Sequence, residues 1–292
     1  MALTTSKLKI PTKSVLEIIN NAKDTSTIAT LSPAQPVSFV DDAHMVFSPS
    51  SEAEVIAEGA NKGSYEQSLN IVEGKRFKVV TTTRMSNEVK WADDDNQFEL
   101  FKAIQADQSA ALGRALDYVV YHAINPKSGE ALDGYTSLVS GANIVTATED
   151  PTADIDSLVE ALMEADINGI GLSRTFAAEL RKIRVPATGL RLFPEIPLNL
   201  KTGNFDGIPA ATSGTVNGKL AKTPTNVKAI MGDYNTIKWG YVRDIWTELI
   251  EYGDPDGAGV DLKRANQIAF RTEAVYTYAL LDSKSFAVLK TA

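Results

Sequence analysis

The residue types on which most catalytic and metal sites depend are scarce in this sequence. Cysteine is absent, and histidine occurs only at positions 44 and 122. Without cysteine there is no thiolate nucleophile, disulfide or cysteine-based zinc site, and two isolated histidines supply neither a triad nor a zinc ligand set. His122 falls near the end of a predicted helix, where the helix dipole favours it, and the sequence identifies no partner for His44. We therefore expect no catalytic residue, no metal site and no cofactor.

Three short patterns could in principle bind a ligand, and each has a simpler structural explanation. Asp93-Asp94-Asp95 could hold a hard cation, but acids before a helical pattern also cap the helix and complement its dipole. The stretch from 254 to 261 is similar to a calcium loop but lacks the regular ligand spacing and the distal glutamate, which indicates a flexible glycine-rich connection. Gly169-Ile170-Gly171 lacks the third glycine of a dinucleotide fingerprint.

The composition and net charge are those of a globular chain that does not bind nucleic acid tightly. The 292 residues are 43% hydrophobic and 23% charged, which is ordinary for a folded protein and long enough for two lobes or an elongated body. No apolar run approaches a membrane span, and the start does not resemble a secretory signal. The formal net charge of −8 argues against tight DNA binding, because counterion release requires a basic surface.

The N-terminal third is expected to pack poorly on its own. A short helix from Val15 to Ala22, capped by Ser14, precedes a stretch rich in Ser, Thr and Pro, so residues 1–51 are interpreted as an arm. Strands from Tyr65 to Val72 and from Lys75 to Thr83 flank a Glu73-Gly74 turn. Residues 52–83 are therefore interpreted as an extended β-hairpin. An isolated hairpin is marginal in water, so this segment is either a mobile surface loop or an arm that folds onto a neighbouring subunit.

The strongest periodic signals lie in the middle and at the end of the chain. Apolar residues at helical spacing predict a helix from Gln97 to Ile124, about 42 Å long, stopped by Asn125-Pro126. Shorter alternating elements follow, with helices at Asp154–Ile167 and Arg174–Ile183. The period-two pattern over residues 266–281 predicts a long strand with one apolar face, and a further strand is expected near Phe286. Together these elements predict an α+β fold.

Six stretches, in this order along the chain, carry a resemblance to one known family. They are Ile56-Ala57-Glu58-Gly59 with Lys62, Lys78 through Glu88, Gly207-Ile208-Pro209, Met231-Gly232-Asp233-Tyr234, Arg271-Thr272-Glu273 and Ser285 through Leu289. Over roughly residues 12 to 290 the sequence resembles the major capsid proteins of tailed bacteriophages, a fold shared with encapsulin nanocompartments.

This resemblance implies a domain organisation and a structural function without enzymatic activity. It implies an N-terminal arm (1–51), an extended loop (52–83), a peripheral lobe with a long spine helix (84–130 and 255–292) and an apical lobe (131–254). Copies would self-assemble as pentamers and hexamers into an icosahedral shell enclosing phage DNA without sequence-specific binding. Separate scaffold, portal and cement proteins are implied partners, with assembly in the host cytoplasm and no membrane association.

The resemblance also implies candidate site residues. Some members of the family seal the shell by an isopeptide bond between a loop lysine and a peripheral-lobe asparagine, assisted by a glutamate, and the corresponding positions are Lys62, Asn266 and Glu273. A carboxylate could accept the lysine proton if desolvation lowered the lysine pKa. The alternative is that Lys62 is solvated and that Glu273 serves a structural ion pair. The expected inter-subunit contact residues are Glu58, Lys62, Lys75, Arg76 and Arg271.

Two other interpretations stay open from the sequence. An encapsulin-like compartment would assemble alone around an enzyme cargo, whereas a phage capsid protein depends on a scaffold, a portal and DNA. A soluble α+β enzyme or binding protein of unknown ligand would be monomeric at high concentration.

Overall fold

The computed structural model describes residues 26–35, 43–48, 53–59, 61–64, 68–96 and 100–291. The predicted helix from Val15 to Ala22 and most of the predicted arm lie outside these residues. The described helices are α1 (Thr27–Leu31), α2 (Asn87–Asn96), α3 (Leu100–His122), α4 (Leu138–Gly141), α5 (Pro151–Glu160) and α6 (Arg174–Lys182). None of them is long and apolar enough to cross a membrane.

Eleven strands among the described residues form three sheets. The strands are β1 (Ala43–Ser48), β2 (Ser68–Glu73), β3 (Lys75–Ser86), β4 (Asn143–Thr146), β5 (Gly169–Ser173), β6 (Asn204–Phe205), β7 (Ile208–Ser213), β8 (Val227–Gly232), β9 (Ile237–Ile250), β10 (Gln267–Leu280) and β11 (Phe286–Lys290). Strands β1 and β2 form a two-stranded sheet, β3-β10-β9 a three-stranded sheet, and β4-β11-β8-β5-β7-β6 a six-stranded sheet. The predicted α+β class is confirmed.

The extended segment is not a hairpin of the two predicted strands. Only Gly74 separates β2 from β3, yet β2 pairs with β1 and β3 pairs with β10. The partner of β2 therefore comes from residues 43–48, which the sequence analysis assigned to the N-terminal arm. A Glu73-Gly74 turn signal is local, whereas the observed pairing brings together strands that are twenty residues apart.

The spine helix α3 ends for a different reason than the predicted proline stop. It is 23 residues long, or about 34 Å, and Ala123 follows it in the left-handed conformation with φ of 51°. The Ala123 backbone N–H closes the end by donating to the Val119 carbonyl at 2.9 Å, as in an αL C-cap. The three acids from Asp93 lie in the second half of α2, so they do not cap α3 as predicted; their side chains are outside the described set.

The two largest apolar clusters among the described residues lie on the two faces of the six-stranded sheet. Leu112 and Leu116 of α3 pack with Tyr276 of β10 and with Val288 of β11. The neighbouring Leu289 faces the other way and packs with residues of α5 and α6. This alternation follows from the two-residue period of a strand. The long apolar face predicted for β10 is confirmed, since Ile268, Ala274, Tyr276 and Tyr278 are all buried.

Strand pairing crosses the predicted lobe boundaries at two places. Strand β9 lies in the segment assigned to the apical lobe, but it pairs with β10 in the three-stranded sheet. Strand β11 lies in the segment assigned to the peripheral lobe, but it sits between β4 and β8 in the six-stranded sheet. The lobe division itself stays a prediction.

Candidate assembly surfaces

The β1–β2 ribbon presents apolar side chains that the described part of its own chain leaves uncovered. Met45 lies directly opposite Ile71 across the ribbon, and these side chains are 68% and 62% exposed. A two-stranded sheet is marginally stable without a third layer, and paired exposed apolar residues favour a protein contact. The ribbon is therefore a candidate surface for binding another molecule.

The predicted contact residues of the extended segment lie on its surface. Glu58 is exposed in a turn with Gly59, whose φ is 82°, and Lys62 is exposed in the short stretch 61–64. Lys75 and Arg76 are exposed at the start of β3, opposite Tyr278 and Thr277 of β10.

One face of the three-stranded sheet, opposite the one that α3 covers, carries charged and aromatic side chains. This outer face is defined by Lys78, Val80, Thr82 and Arg84 of β3, Arg271 and Glu273 of β10, and Arg243 and Trp246 of β9. Glu273 is buried, and its carboxylate forms ion pairs with Lys78 at 2.5 Å and with Arg271 at 3.8 Å. The Arg243 guanidinium lies 4.2 Å from the centre of the Trp246 ring, a cation–π distance. Val80 is 52% exposed in the middle of this face.

The glycine-rich stretch at 254–261 is an ordered loop clamped by Arg84, not the flexible connection that the sequence indicated. The Arg84 side chain is only 6% exposed and donates to Asp254 at 2.7 Å and to the Val260 carbonyl at 2.9 Å. It also binds Asp256 through both Nε and Nη2. Asp254 in turn accepts from the backbone N–H groups of Ala258 and Gly259. Because Asp254 and Asp256 bind the Arg84 guanidinium, the arrangement explains these acidic residues without a metal ion.

The Arg84 clamp shifts the pKa of both partners. Hydrogen bonding to Asp256 raises the pKa of Arg84 above its ordinary value. The same bond from Arg84 holds the pKa of Asp256 below its ordinary value. Both shifts favour the ionised pair, so the loop stays clamped over the neutral pH range.

The three predicted cross-link residues do not meet within one chain. The Asn266 side-chain amide donates to Glu88 at 2.5 Å and accepts from Asn87 at 2.7 Å. Glu273 lies seven residues further along the same strand direction, about 24 Å away at the rise of an antiparallel strand, and binds Lys78 instead. Lys62 stays exposed in the extended segment. An active arrangement of these groups would have to combine residues of different copies.

Comparison with known proteins decides what kind of molecule carries these surfaces. The chain matches the model described as "Phage capsid family" over residues 8–291. The chain belongs to the phage capsid family. It is a major capsid protein, a structural component of the virion. This capsid protein is 35% identical to a solved chain from Mycobacterium phage Ogopogo, with a TM-score of 0.86 and coverage of 100% of both chains.

Two further solved structures share the fold of this capsid protein. A chain from Gordonia phage Cozz is 29% identical, with a TM-score of 0.80, and the match covers 99% of this chain and 92% of that one. A chain described as "Capsid of native GTA particle computed with C5 symmetry" is 13% identical, with a TM-score of 0.66 and coverage of 97% and 96%; it shows the fold alone. The comparison with curated proteins found no match.

The capsid protein also contains a buried polar network that sequence reasoning missed. Asp117 of α3 is fully buried and accepts from the hydroxyls of Ser26 and Thr215, each at 2.5 Å, and from the Thr27 backbone N–H at 2.8 Å. Burial raises the pKa of Asp117, and the hydrogen bonds oppose that shift. Tyr121 extends the network, with its hydroxyl 2.9 Å from that of Thr27. The network joins α1, the spine helix and the loop after β7.

A carboxylate at Asp117, inside an otherwise apolar helix pattern, was the one available sequence signal for this network. Its partners are ordinary Ser and Thr residues about 90 positions away, and nothing in their spacing identifies them. A neighbouring residue, His122, is confirmed as a helix-end side chain, and its ring contacts the Thr215 carbonyl at 3.0 Å. Burial lowers the pKa of His122 to about 4, so the ring is neutral at pH 7.

Proposed function

We propose that this capsid protein assembles through pentamers and hexamers into an icosahedral shell that encloses phage DNA without sequence-specific binding. The observation that carries the proposal is the β1–β2 ribbon, whose Met45–Ile71 pair is left exposed by the residues that the structure describes. A neighbouring copy would supply the missing third layer. In a symmetric shell the ribbon of every copy binds one neighbour, and every copy also binds the ribbon of another. Many weak contacts then add up to a stable assembly.

The outer face of the three-stranded sheet is the surface proposed to receive a neighbour's ribbon. It combines an exposed apolar residue, Val80, with the exposed Lys78 and the stacked Arg243–Trp246 pair. Lys75 and Arg76 lie at its margin, and Arg271 within it, which agrees with their predicted role in contacts between subunits. Glu58 and Lys62 would belong to the segment that is donated.

The net charge of −8 supports a container rather than a DNA-gripping protein. A wall whose subunits are acidic overall releases few counterions on contact with DNA, and so it binds the enclosed genome weakly. In this proposal the chain performs no catalysis on a substrate, is assembled in the host cytoplasm and works with separate scaffold, portal and cement proteins.

Covalent sealing of the shell is proposed as a second property of the same assembly. The Lys62 amine of one copy would attack the side-chain carbonyl carbon of Asn266 in another, and the asparagine amide nitrogen would leave as ammonia. Glu273 of a third copy, or Glu88 beside Asn266, would take the lysine proton. The exposure of Lys62 and Asn266 supports this arrangement.

Assembly is tested by producing the chain alone and together with proteins encoded beside it, followed by size-exclusion chromatography and negative-stain electron microscopy. The proposal predicts closed shells, tubes or rings of five and six subunits. Shells that form from the chain alone around an enzyme cargo would favour the encapsulin-like interpretation. A monomer under every condition, including co-production, would overturn the proposal.

A further inference from the structure

One edge of the six-stranded sheet carries an acidic patch with exposed apolar side chains. Residues 149 to 166 hold seven Asp or Glu residues and no Lys or Arg. Helix α5 packs over β4 and β11 at this edge, and its outward side presents Asp156, Val159 and Glu160, followed by Met163 and Glu164 in the next turn. Met163 is 78% exposed. These five residues define the acidic patch.

The opposite edge carries a basic patch with its own exposed apolar side chains. Residues 181 to 191 hold four Lys or Arg residues and no Asp or Glu. A tight turn fixes this segment, because the Val185 carbonyl accepts from the Gly189 N–H at 2.8 Å and the Val185 N–H donates to the Leu190 carbonyl at 2.9 Å. Lys182, Arg184, Leu190, Arg191 and Leu192 are all exposed. These five residues define the basic patch, in which Leu190 is 67% exposed.

The order of the strands places the two patches on opposite sides of one molecule. Phe193 follows the basic patch and stacks on Phe205 of β6, with ring centres 5.1 Å apart. Strand β6 is one edge of the sheet and β4 is the other, so five strand spacings, or about 24 Å, separate them. Although α5 and α6 contact each other, the turn that carries Arg184 and Arg191 lies at the edge far from the acidic patch, and no ion pair joins the two patches among the described residues.

Neither patch forms an ion pair within the part of the chain that the structure describes. Within the described residues, Asp156, Glu160 and Glu164 have no ion-pair partner, and neither do Arg184 and Arg191. Each patch sets exposed apolar residues among charges that are mostly of one sign, with Lys284 lining the same hollow as Glu160, Met163 and Glu164. This is the composition of a protein-binding surface with a polar rim.

We propose that the acidic patch of one copy binds the basic patch of the next copy, head to tail, around each pentamer and hexamer. A two-fold contact centred on either patch would bring acid against acid or base against base, which is repulsive. Two different patches on opposite sides of a subunit instead form a heterologous contact, and such contacts close into rings. The inference rests on the proposed assembly into rings and names the surfaces that make them.

Charge reversal tests the pairing in the full-length chain. Arg184→Glu with Arg191→Glu makes both patches acidic, and Glu160→Lys with Glu164→Lys makes both basic. Each double variant is expected to lower the fraction of chain in rings or shells by about tenfold or more, because like charges then meet at every contact. The variant with all four changes restores opposite charges at every contact and is expected to recover assembly to within about threefold of the unmodified chain. Circular dichroism melting confirms that each variant is folded.

A mixture of the two double variants gives a sharper test. If the two double variants alternate around a ring, opposite charges meet at every contact. Strict alternation is possible only in a ring with an even number of subunits. The mixture is therefore expected to form six-membered rings in the electron microscope and no five-membered rings. Lys127→Glu with Lys219→Glu, at two exposed lysines outside both patches, matches the charge change of the arginine variant and is expected to assemble normally.

The possible outcomes separate the inference from the proposed function. If the unmodified chain assembles and both double variants assemble equally well, the patch pairing is wrong and the capsid function stands. The pairing is also wrong if the variant with all four changes is folded but assembles as poorly as the two double variants. If the unmodified chain never assembles, the proposed function fails, and the patch pairing fails with it.

Discussion

Asp117 accepts a hydrogen bond of 2.5 Å from the Ser26 hydroxyl, although 91 residues separate the two in sequence. Ser26 is at the same time the N-cap of α1, because its hydroxyl oxygen accepts from the Ala29 N–H at 3.0 Å. A single carboxylate thus ties the chain just before α1 to the C-terminal part of the spine helix. The shell-forming body and the N-terminal segment are coupled at this point.

Replacing Asp117 by Asn is expected to lower the free energy of unfolding by about 2 kcal/mol, because an amide nitrogen then faces buried donors. Chemical denaturation followed by circular dichroism measures this difference. The matched control is Ser26→Ala, which removes one donor and the cap and is expected to cost about 1 kcal/mol. Equal stability of the Asp117→Asn variant and the unmodified chain would contradict the role given to this network.

The pH dependence of the Asp117 effect has a defined sign. The pKa of Asp117 is raised from 3.8 in the folded chain, so the folded state holds that proton more tightly than the unfolded state. The contribution of this carboxyl group to the free energy of unfolding is fully present below pH 3.8. It is lost as the pH rises through the pKa of Asp117 in the folded state. The stability difference between the unmodified chain and Asp117→Asn is therefore expected to narrow as pH rises. A difference that widens would contradict the assignment.

Replacing Arg84 by Met is expected to destabilise the chain by about 2 kcal/mol, because the bonds to Asp254 and Asp256 are lost while the aliphatic stem stays buried. The pKa of Asp256 is lowered from 3.8 by Arg84, so this contribution is present above pH 3.8 and is lost as pH falls through the folded pKa. Stability curves of the two proteins are expected to converge at acid pH. Arg84→Lys keeps the positive charge but lacks the guanidinium that binds both carboxylates. Its free energy of unfolding should fall between those of the unmodified chain and Arg84→Met.

Serine at both Met45 and Ile71 is expected to block assembly without unfolding the chain. Both side chains are exposed, so the free energy of unfolding should change by less than about 0.5 kcal/mol. The yield of shells should fall by about tenfold if the ribbon is buried between copies. Leu220→Ser, at another exposed apolar residue, is the control. Normal assembly of the double variant would show that the ribbon is not a contact.

The proposed cross-link makes a distinct prediction for mature shells. Denaturing gels should show a ladder of covalent oligomers, and mass spectrometry should find Lys62 joined to Asn266 with the loss of one ammonia. Lys62→Arg and Asn266→Ala should each remove the ladder while leaving shell formation intact. A single monomer band from mature shells would show that the bond does not form.

Local periodicity was sufficient to predict several elements of the fold. The spacing of apolar residues placed α3 and β10 correctly, because each buries one continuous face against the same core. The pairing of β1 with β2 could not be found in this way. Residues 43–48 carry a short, weak strand pattern, and their partner is chosen by long-range contact rather than by the adjacent Glu73-Gly74 signal.

The chemistry of the surfaces was less accessible to sequence reasoning than the fold. The candidate contact residues Lys75, Arg76 and Arg271 were selected by resemblance, and the structure places them at or near one face. The Arg84 clamp and the Asp117 network were missed because their partners lie 90 to 176 positions away in sequence. A lone buried charge in a sequence gives no indication of which distant groups will satisfy it.

The most direct test of the capsid assignment is a cryo-electron microscopy reconstruction of particles formed by the chain with its co-produced partner proteins. We predict a closed icosahedral shell in which residues 43–48 and 68–73 of each copy lie on the three-stranded sheet of a neighbour. Soluble monomers under every condition, or particles in which this ribbon contacts only its own chain, would contradict the account.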